Sequence, residues 1–485
     1  MSENLVESET SDLIVVDPIN VSSRFTVGAL FGKATGWLAL AFLAEFGVAW
    51  KLLFPGFLAG SPWLTHGRLD TAADVMFWYG FLIQALIGTS LWINARIGKV
   101  DLQLPFLVGI GLTFWNLGVI AAVVGILAGG STGIPGLEMP GYASFVLLIS
   151  YLLMAIPVLA TFHRRGEKAV YVSQCFILAS VVWFAWIFSA ALYFISAGEG
   201  STNGLTNAGI GLWYQHNLKW VVGAGSGFAI LSYLTPKILQ TSLNSRSVAF
   251  FGLWTLILTG SWGGASMGSP FPAWYSSIGV IADVWILAPV GALVWMVAAT
   301  GAGSKQEFKT ETTLRWIALA VCSLALVGIA GFLSSLKVVE TLTGLTFAEY
   351  AGESLFEKGF LVTTFIGAIG FILAQLSGSQ LPSICCRVGR DHRLFLAGLV
   401  MTVVGFLGAG LLQGLVLSIG KAPFSTAVQY ARPLLFVATF GMGLVVLHAV
   451  SFALRVGRIA MTLTWGSCCK IGDETVISDR GNVTS

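Results

Sequence analysis

The segment WYQHNLKW, residues 213–220, places a histidine and a lysine inside a stretch that is otherwise largely apolar. His216 and Lys219 are three residues apart, so a helix brings them together one turn apart. A charged side chain in hydrocarbon costs roughly 2.5–3.5 kcal/mol on insertion scales, so such residues usually face a bundle interior and often mark a site. A neutral imidazole is also a common metal ligand. The segment therefore offers one candidate metal ligand, His216, beside an intramembrane cation.

Three ionisable residues in separate apolar stretches lie at a similar depth. Glu45, Lys219 and Asp283 are each about ten residues from the same end of their stretch, a distance of roughly 15 Å along a helix. Buried ions in a membrane normally pair with one another. The sequence therefore predicts a buried polar cluster of His216, Asn217, Lys219, Asp283 and Glu45. Within it, Lys219 is expected to pair with Asp283, and Glu45 is the next candidate.

The composition is that of an integral membrane protein. Of 485 residues, 56% are hydrophobic and 10% are charged, with a mean hydropathy of +0.83, whereas soluble domains carry about 25% charged residues. Apolar runs of about 20 residues indicate transmembrane helices. The predicted fold class is therefore all-α, a polytopic bundle of twelve transmembrane helices near residues 33–54, 74–96, 105–129, 140–162, 168–196, 209–235, 247–268, 274–302, 313–336, 358–384, 393–420 and 431–455.

Basic residues outside these stretches fall mainly on one side of the membrane. An even helix count puts both termini on one side, which receives nineteen Lys and Arg residues against six on the other. The positive-inside rule then predicts cytoplasmic termini in the cell (inner) membrane. Residues 1–24 are predicted to be a cytoplasmic tail without a cleavable signal, residues 25–455 the membrane domain, and residues 456–485 a second cytoplasmic tail. The net charge of +3 reflects this topology and does not indicate nucleic acid.

Glycines and cysteines indicate packing rather than chemistry. Small-xxx-small patterns at 223–227, 260–268 and 410–414 predict close helix–helix approach. The adjacent pairs at 385–386 and 468–469 lack CxxC spacing and are predicted to be reduced thiols.

The segment 337–358 has an acidic excess. Its glutamates, which outnumber its two lysines, are Glu340, Glu349, Glu353 and Glu357. We expect an outer loop, either simply solvated or serving as a docking surface for a basic partner.

Several segments resemble one protein family in their order and spacing. WLTHGRLDTAADVMFWYG at 63–80 is similar to an outer loop and second helix of the form WLTFGRLRPLHTN, and WYQHNLKW to a sixth-helix pattern WWYGHN. Further matches are LTPK at 234–237, TGSWGGASMG at 259–268, ILAP at 286–289 and TTFIGAIGF at 363–371. With twelve helices and cytoplasmic termini, the chain resembles the catalytic subunit (subunit I) of haem–copper oxidases. It is most similar to the cbb-type (C-family) cytochrome c oxidases and the nitric oxide reductases.

The resemblance carries all but one of the family's metal-ligating histidines onto other residue types. These positions are the second-helix haem ligand at Ala73, the seventh-helix copper ligands at Ser266 and Met267, and the tenth-helix haem ligands at Thr363 and Phe365. Only the sixth-helix copper ligand keeps its histidine, His216. Haem iron and copper in such sites need imidazole ligands. We therefore expect no haem and no copper; both would be expected only if this argument about ligands is wrong.

Other positions of the resemblance have simple structural interpretations. The family's seventh-helix tyrosine falls on Gly260. Arg68, in the GRL motif that lies near haem propionates in the family, is expected to be an interfacial anchor. His216 is more simply explained as a neutral, hydrogen-bonded, buried histidine than as a metal ligand, and His448 as a packing or hydrogen-bonding residue. A lysine–carboxylate network is expected in place of the copper.

Two functions from different classes follow. The first is a non-redox membrane subunit on the oxidase fold, which supports a respiratory or electron-transfer complex with other membrane or cytochrome subunits. The alternative is a transporter or channel for a small molecule or protons, using the former cofactor cavity. A terminal oxidase or nitric oxide reductase with unorthodox ligands ranks below both, because the residues at the ligand positions are unsuited to binding metal.

Overall fold

The computed structural model describes residues 18–196, 204–265, 271–304, 306–377, 388–420 and 423–480. These residues are overwhelmingly helical and contain no strand. Twelve long helices follow one another: α1 Pro18–Leu53, α2 His66–Gly98, α3 Pro105–Leu127, α4 Gly141–His163, α5 Val172–Ser196, α6 204–239, α7 Arg246–Gly260, α8 Ala273–Thr300, α9 Thr312–Ser334, α10 Ala348–Ser377, α11 Val388–Gly420 and α12 Phe424–Arg480.

Each predicted transmembrane stretch coincides with one of these helices, so the predicted all-α membrane fold is confirmed. In the described residues, ten helices are long and apolar enough to cross a membrane. The other two are α6, whose apolar character is lowered by polar residues such as Lys219, and α7, which is apolar but only 15 residues long. The protein is therefore an integral membrane protein with several spanning helices.

One sequence expectation about the ends of the helices needs correction. Segment 337–358 is not a simple loop, because it contains the short helix Lys337–Thr343 and the first turns of α10. Its residues Glu353 and Glu357 therefore belong to a long helix. Helix α1 begins at Pro18 and α12 continues to Arg480. The predicted cytoplasmic tails, 1–24 and 456–485, stay predictions.

The helices α2 and α10 form the centre of the bundle. Of their 18 most apolar consecutive residues, 94% are buried in α2 and 78% in α10, against half or fewer in each of the other candidate spans. In α6, the residues from Trp220 to Leu234 are almost all buried as well, apart from Tyr233. These three helices hold three of the four sequence segments that resemble the metal-binding helices of the oxidase family; the fourth, at 259–268, begins at the end of α7.

Each central helix contains one π-helical segment: Met76–Leu82 in α2, Leu218–Ala224 in α6 and Leu355–Val362 in α10. A π segment shifts the register of the side chains that follow it, and such segments are frequent at functional sites. Here they lie beside Ala73, His216 and Thr363. The backbone irregularity thus accompanies three of the positions that the resemblance singled out.

Glycines allow the helices to approach closely, as the small-residue patterns predict. A Cβ atom at Gly405 would lie 2.5 Å from the backbone nitrogen of Ala438, where α11 crosses α12. A Cβ atom at Gly227 would lie 2.6 Å from the ring of Phe360, where α6 meets α10. The predicted Gly410–Gly414 pattern likewise abuts backbone atoms of the segment 342–348.

Candidate functional site

A buried ion pair joins α1 to α10. The Nζ atom of Lys358 lies 2.6 Å from a carboxylate oxygen of Glu45, and only 3% and 12% of the two side chains are exposed. The ammonium also lies 5.3 Å from the ring centre of Phe42. An ammonium held by a carboxylate and an aromatic face is well compensated for the loss of water. The sequence analysis placed Glu45 in the buried polar cluster but placed Lys358 at the end of the predicted outer loop.

Further carboxylates surround this pair. Asp70 of α2 is within electrostatic range of both Glu45 and Lys358. Glu357 interacts with the same two residues, and Asp74 of α2 interacts in turn with Glu357 and Asp70. Acidic side chains from α1, α2 and α10 therefore converge on one lysine, toward the predicted outer face.

The network reaches the 128–140 segment through Glu138, which interacts with Asp74. Glu138 accepts a 2.9 Å hydrogen bond from the backbone N–H of Gly136. Burial raises the pKa of Glu138, and its backbone hydrogen bonds only partly oppose that effect. The carbonyl of the same Gly136 accepts a 2.8 Å bond from the Tyr79 hydroxyl, which lies 2.7 Å from the Tyr214 hydroxyl. Polar contacts thus tie this segment to both α2 and α6.

A second, separate polar site contains His216 and Asp283. The His216 Nε2 atom lies 3.8 Å from the Asp283 Oδ1 atom, and the Asp283 Oδ2 atom accepts a 3.5 Å hydrogen bond from the backbone N–H of Gly264. Gly264 has φ +95°, a conformation that favours glycine. At the preceding Gly263, a Cβ atom would collide with both His216 and Asp283. Two glycines thus let the chain after α7 pass across these side chains.

Asn217 lies next to this site and is fully hydrogen-bonded. Its Oδ1 atom accepts from Trp183 at 2.8 Å, and its Nδ2 atom donates to the carbonyls of Trp213 at 2.8 Å and Ser261 at 3.4 Å. The amide connects α5, α6 and the end of α7. Its observed role is structural.

The structure does not form the predicted direct ion pair between Lys219 and Asp283, although the lysine lies within electrostatic range of the carboxylate. In the described part of the chain Lys219 forms no ion pair, and its Nζ atom lies 5.0 Å from the ring centre of Phe356 in α10. Lys219 shares a depth with Asp283, but depth does not fix the direction in which a side chain points around its helix. The predicted five-residue cluster is therefore divided. His216, Asn217 and Asp283 lie together, Lys219 faces α10, and Glu45 pairs with Lys358.

The haem-ligand positions lie in the packed interior. Ala73, Thr363 and Phe365 are completely buried. The Thr363 hydroxyl donates to the backbone carbonyl of Phe360 at 3.1 Å, and the Phe365 ring lies 5.8 Å from that of Phe81 in an edge-to-face contact. These side chains offer no axial ligand to iron, and the two phenylalanine rings pack directly against each other. The residues present therefore do not fit haem.

The copper position is similarly unsuited to its metal. A Cβ atom at Gly260, the position of the family's tyrosine, would lie 2.8 Å from a methyl carbon of Val221, so a tyrosine has no room there. Ser266 and Met267 lie outside the described residues. Among the described residues, no group of three His, Cys, Asp or Glu side chains is arranged to hold a metal ion. His216 has one nearby carboxylate rather than several converging imidazoles, so copper does not fit here.

Arg68 and His448 have structural contacts. Arg68 donates hydrogen bonds to the carbonyls of Pro62 at 2.8 Å and Leu127 at 3.0 Å, which fastens the start of α2 to the end of α3. His448 is 1% exposed, and its ring centre lies 5.0 Å from Phe395 and 5.4 Å from Trp316. The contacts of His448 agree with its predicted packing role, and the interfacial role of Arg68 stays a prediction.

Comparison with known proteins agrees with the bundle of helices and its resemblances. Residues 26–444 match the family described as "Cytochrome C and Quinol oxidase polypeptide I". The match covers most of the chain, so the protein belongs to the family of oxidase subunit I proteins. The resemblance seen in the sequence is therefore confirmed.

The individual relatives are distant. A "Cytochrome c oxidase subunit 1 homolog, bacteroid" from Bradyrhizobium diazoefficiens is 24% identical over 442 residues, covering 86% of this chain and 78% of the relative. A "Cytochrome c oxidase subunit 1 homolog" from Azorhizobium caulinodans is 23% identical, covering 90% and 81%. A "Cbb3-type cytochrome c oxidase subunit CcoN1" from Stutzerimonas stutzeri is 23% identical, covering 76% and 79%. The predicted similarity to the cbb-type branch is thus confirmed.

Proposed function

We propose that this protein is a non-redox member of the subunit I family, which serves as an integral membrane subunit of a respiratory or electron-transfer complex. The observation that carries the proposal is the character of the haem-ligand positions. Ala73, Thr363 and Phe365 are buried, contribute no imidazole, and are packed by their own neighbours. The chain keeps the helix bundle of its family and replaces the groups that would hold its metals.

The names of the relatives support the subunit role, because they are described as subunit 1 proteins of cytochrome c oxidases. A bundle that contributes no metal centre still provides a membrane surface for other subunits. Glycines let α6 pack closely against α10, and α11 against α12. We therefore expect cytochrome subunits and membrane lipid as its partners.

The test is to purify the chain from its native membrane in a mild detergent and to measure haem, copper and co-purifying proteins together. A haemochrome spectrum and elemental analysis should give no haem and no stoichiometric copper assigned to this chain. Mass spectrometry should show reproducible co-purification with membrane or cytochrome subunits. A histidine-containing relative purified in parallel is the positive control. One or two haems per isolated chain would overturn the proposal.

The position in the cell follows from the same reasoning. We infer that the protein lies in the inner membrane with both termini in the cytoplasm, because Lys and Arg residues concentrate on that side. An impermeant thiol reagent added outside intact cells should leave Cys468 and Cys469 unlabelled and should label them after permeabilisation. Labelling of Cys468 or Cys469 in intact cells would show that the C-terminus lies outside the cytoplasm and contradict the inferred topology.

The buried charged network favours a second candidate function, the transport of protons or small cations. Glu45, Lys358, Asp70 and Glu357 provide interacting ionisable groups from three helices. Intramembrane ionisable residues commonly mark ion pathways. Proteoliposomes containing the isolated chain should then show a proton or cation flux that disappears when Lys358→Met and Glu45→Leu are combined. The absence of flux in the unaltered protein would remove this alternative.

A further inference from the structure

The outer surface of the bundle has a long groove between α1 and α12. Its volume is about 380 Å³, within the range of roughly 300–1,000 Å³ for sites that bind small molecules. The walls include Phe46 and Trp50 of α1 and Phe436, Phe440 and Gly443 of α12. Both Phe436 and Phe440 are more than half exposed. The groove is thus part of the surface that faces lipid, not part of the bundle interior.

The chemistry of the lining restricts the occupant to hydrocarbon. The polar side chain in the wall, Thr439, already donates its hydroxyl hydrogen bond to the Leu435 carbonyl at 2.9 Å, and the Ala49 carbonyl is 3.4 Å away. It therefore has no unmet need for a polar ligand. The α1 wall runs from Leu43 to Leu53, about 15 Å of helix, which is half of a hydrocarbon core about 30 Å thick. The groove therefore has the length of one leaflet.

A charged group stands at the end of the groove nearer the predicted outer face. Arg432 lies one turn before Phe436 on α12 and is exposed. One of its N–H groups donates to the Leu53 carbonyl at 3.0 Å, and its guanidinium lies 5.9 Å from the ring centre of Phe54. A guanidinium has five N–H donors and pairs well with phosphate. The nearby Lys51 is buried and donates to the Phe57 carbonyl, so Arg432 is the cation that a headgroup would meet.

We infer that this groove binds one phospholipid of the leaflet at the predicted outer face. An acyl chain occupies the space between α1 and α12, and the phosphate contacts Arg432. A transmembrane helix of a partner, about 10 Å wide, is too thick for a groove of this volume over three turns. Burying an acyl chain brings little hydrophobic gain inside a membrane, so retention depends on close packing and on the charge contact.

The experiment measures the phospholipid that remains bound to the full chain after purification and exhaustive detergent washing. The probe is a lipid vesicle of phosphatidylethanolamine and phosphatidylglycerol, from which the protein is re-extracted and examined by native mass spectrometry. Gly443→Phe fills the groove, because the space beside Gly443 is bounded by the Phe46 ring, 3.4 Å from a Cβ atom. Arg432→Gln removes the headgroup contact and the bond to the Leu53 carbonyl but leaves the apolar side chains that line the groove in place.

Arg432→Gln should retain about fivefold less phosphatidylglycerol than the unaltered chain, the effect expected of one basic residue at a membrane surface. Gly443→Phe should retain at least that much less, because its ring takes the space of the acyl chain. The matched controls are Gly457→Phe, where no atom lies within 4 Å of an added Cβ, and the exposed Arg458→Gln on the same helix. Both should retain the full amount. Should Gly443→Phe fail to fold, Gly443→Leu and Arg432→Gln carry the test. Equal retention in all folded variants, which means annular lipid only, would overturn the proposal.

Discussion

Lys358 and Glu45 form a direct ion pair, 2.6 Å between nitrogen and oxygen, across the contact between α10 and α1. The two residues are far apart in sequence, and both are largely buried. Removing one partner of such a pair leaves an uncompensated charge, whereas replacing both with apolar residues of similar size is often neutral. The pair is therefore the most sensitive single contact of the charged network.

The first prediction tests this pair. Lys358→Met and Glu45→Leu should each destabilise the protein by about 3–5 kcal/mol, because each strands one buried charge. The double variant should recover most of the loss. Thermal unfolding in detergent, followed by loss of monodispersity, provides the measurement. If the losses in the double variant simply add, the two charges do not stabilise one another.

Lys219 and Asp283 provide the matched control for that experiment. The Lys219 ammonium faces the Phe356 ring and Asp283 faces His216, so only a longer-range attraction joins the two charges. The double variant Lys219→Met with Asp283→Leu should therefore recover much less stability than the double variant of Lys358 and Glu45. A recovery as large as that of Lys358 and Glu45 would show that Lys219 and Asp283 form a direct pair.

The fold could be predicted from the sequence, but the candidate site could be predicted only in part, and the physical reasons differ. Helix positions follow from runs of apolar residues, so all twelve stretches were identified from hydropathy alone. The division of the polar cluster depends on which way Lys219 and Glu45 point around their helices, which depth does not reveal. Lys358 was missed because α10 begins at Ala348, about ten residues earlier than its apolar run. An acidic segment that extends a helix beyond its apolar run cannot be distinguished from a loop by hydropathy.

The second prediction concerns the crossing of α11 and α12. Gly405→Ala should lower stability by about 1–3 kcal/mol, because its methyl group would meet the backbone nitrogen of Ala438, which cannot move aside as a flexible side chain can. Gly457→Ala on α12 has open space around it and should be neutral or slightly stabilising. Thermal unfolding of the two variants side by side checks both effects. Equal stability would mean that the helices separate at little cost.

The third prediction revises the docking hypothesis for the segment 337–358. Glu357 cannot serve as a clean probe, because a lysine there would lie beside Lys358. Glu340 and Glu349 remain, close in sequence to two strongly exposed apolar side chains, Val338 at 74% and Leu345 at 92%. Glu349 also accepts a 2.7 Å bond from the Leu345 N–H, so thermal unfolding of the variant is measured beside its binding. Glu340→Lys combined with Glu349→Lys should release a basic partner subunit without unfolding the chain. Quantitative co-purification measures this, with the distant Glu311→Lys as the control. Unchanged co-purification would leave the segment merely solvated.

The last prediction concerns pH and Glu138. Burial raises the pKa of this carboxyl in the folded protein, whereas the unfolded chain gives it an ordinary pKa. The unfolded state therefore loses its proton first as the pH rises, so the contribution of Glu138 to stability is present below the unfolded pKa and is lost as the pH rises through the folded pKa. Glu138→Gln keeps an acceptor for the Gly136 N–H and removes the titration. The variant should be more stable than the unaltered chain at pH 8, and the difference should shrink toward pH 4. Thermal unfolding across that pH range provides the measurement, and Glu340→Gln in the outer segment is the control. A stability difference that does not change with pH would show that Glu138 does not contribute to the pH dependence.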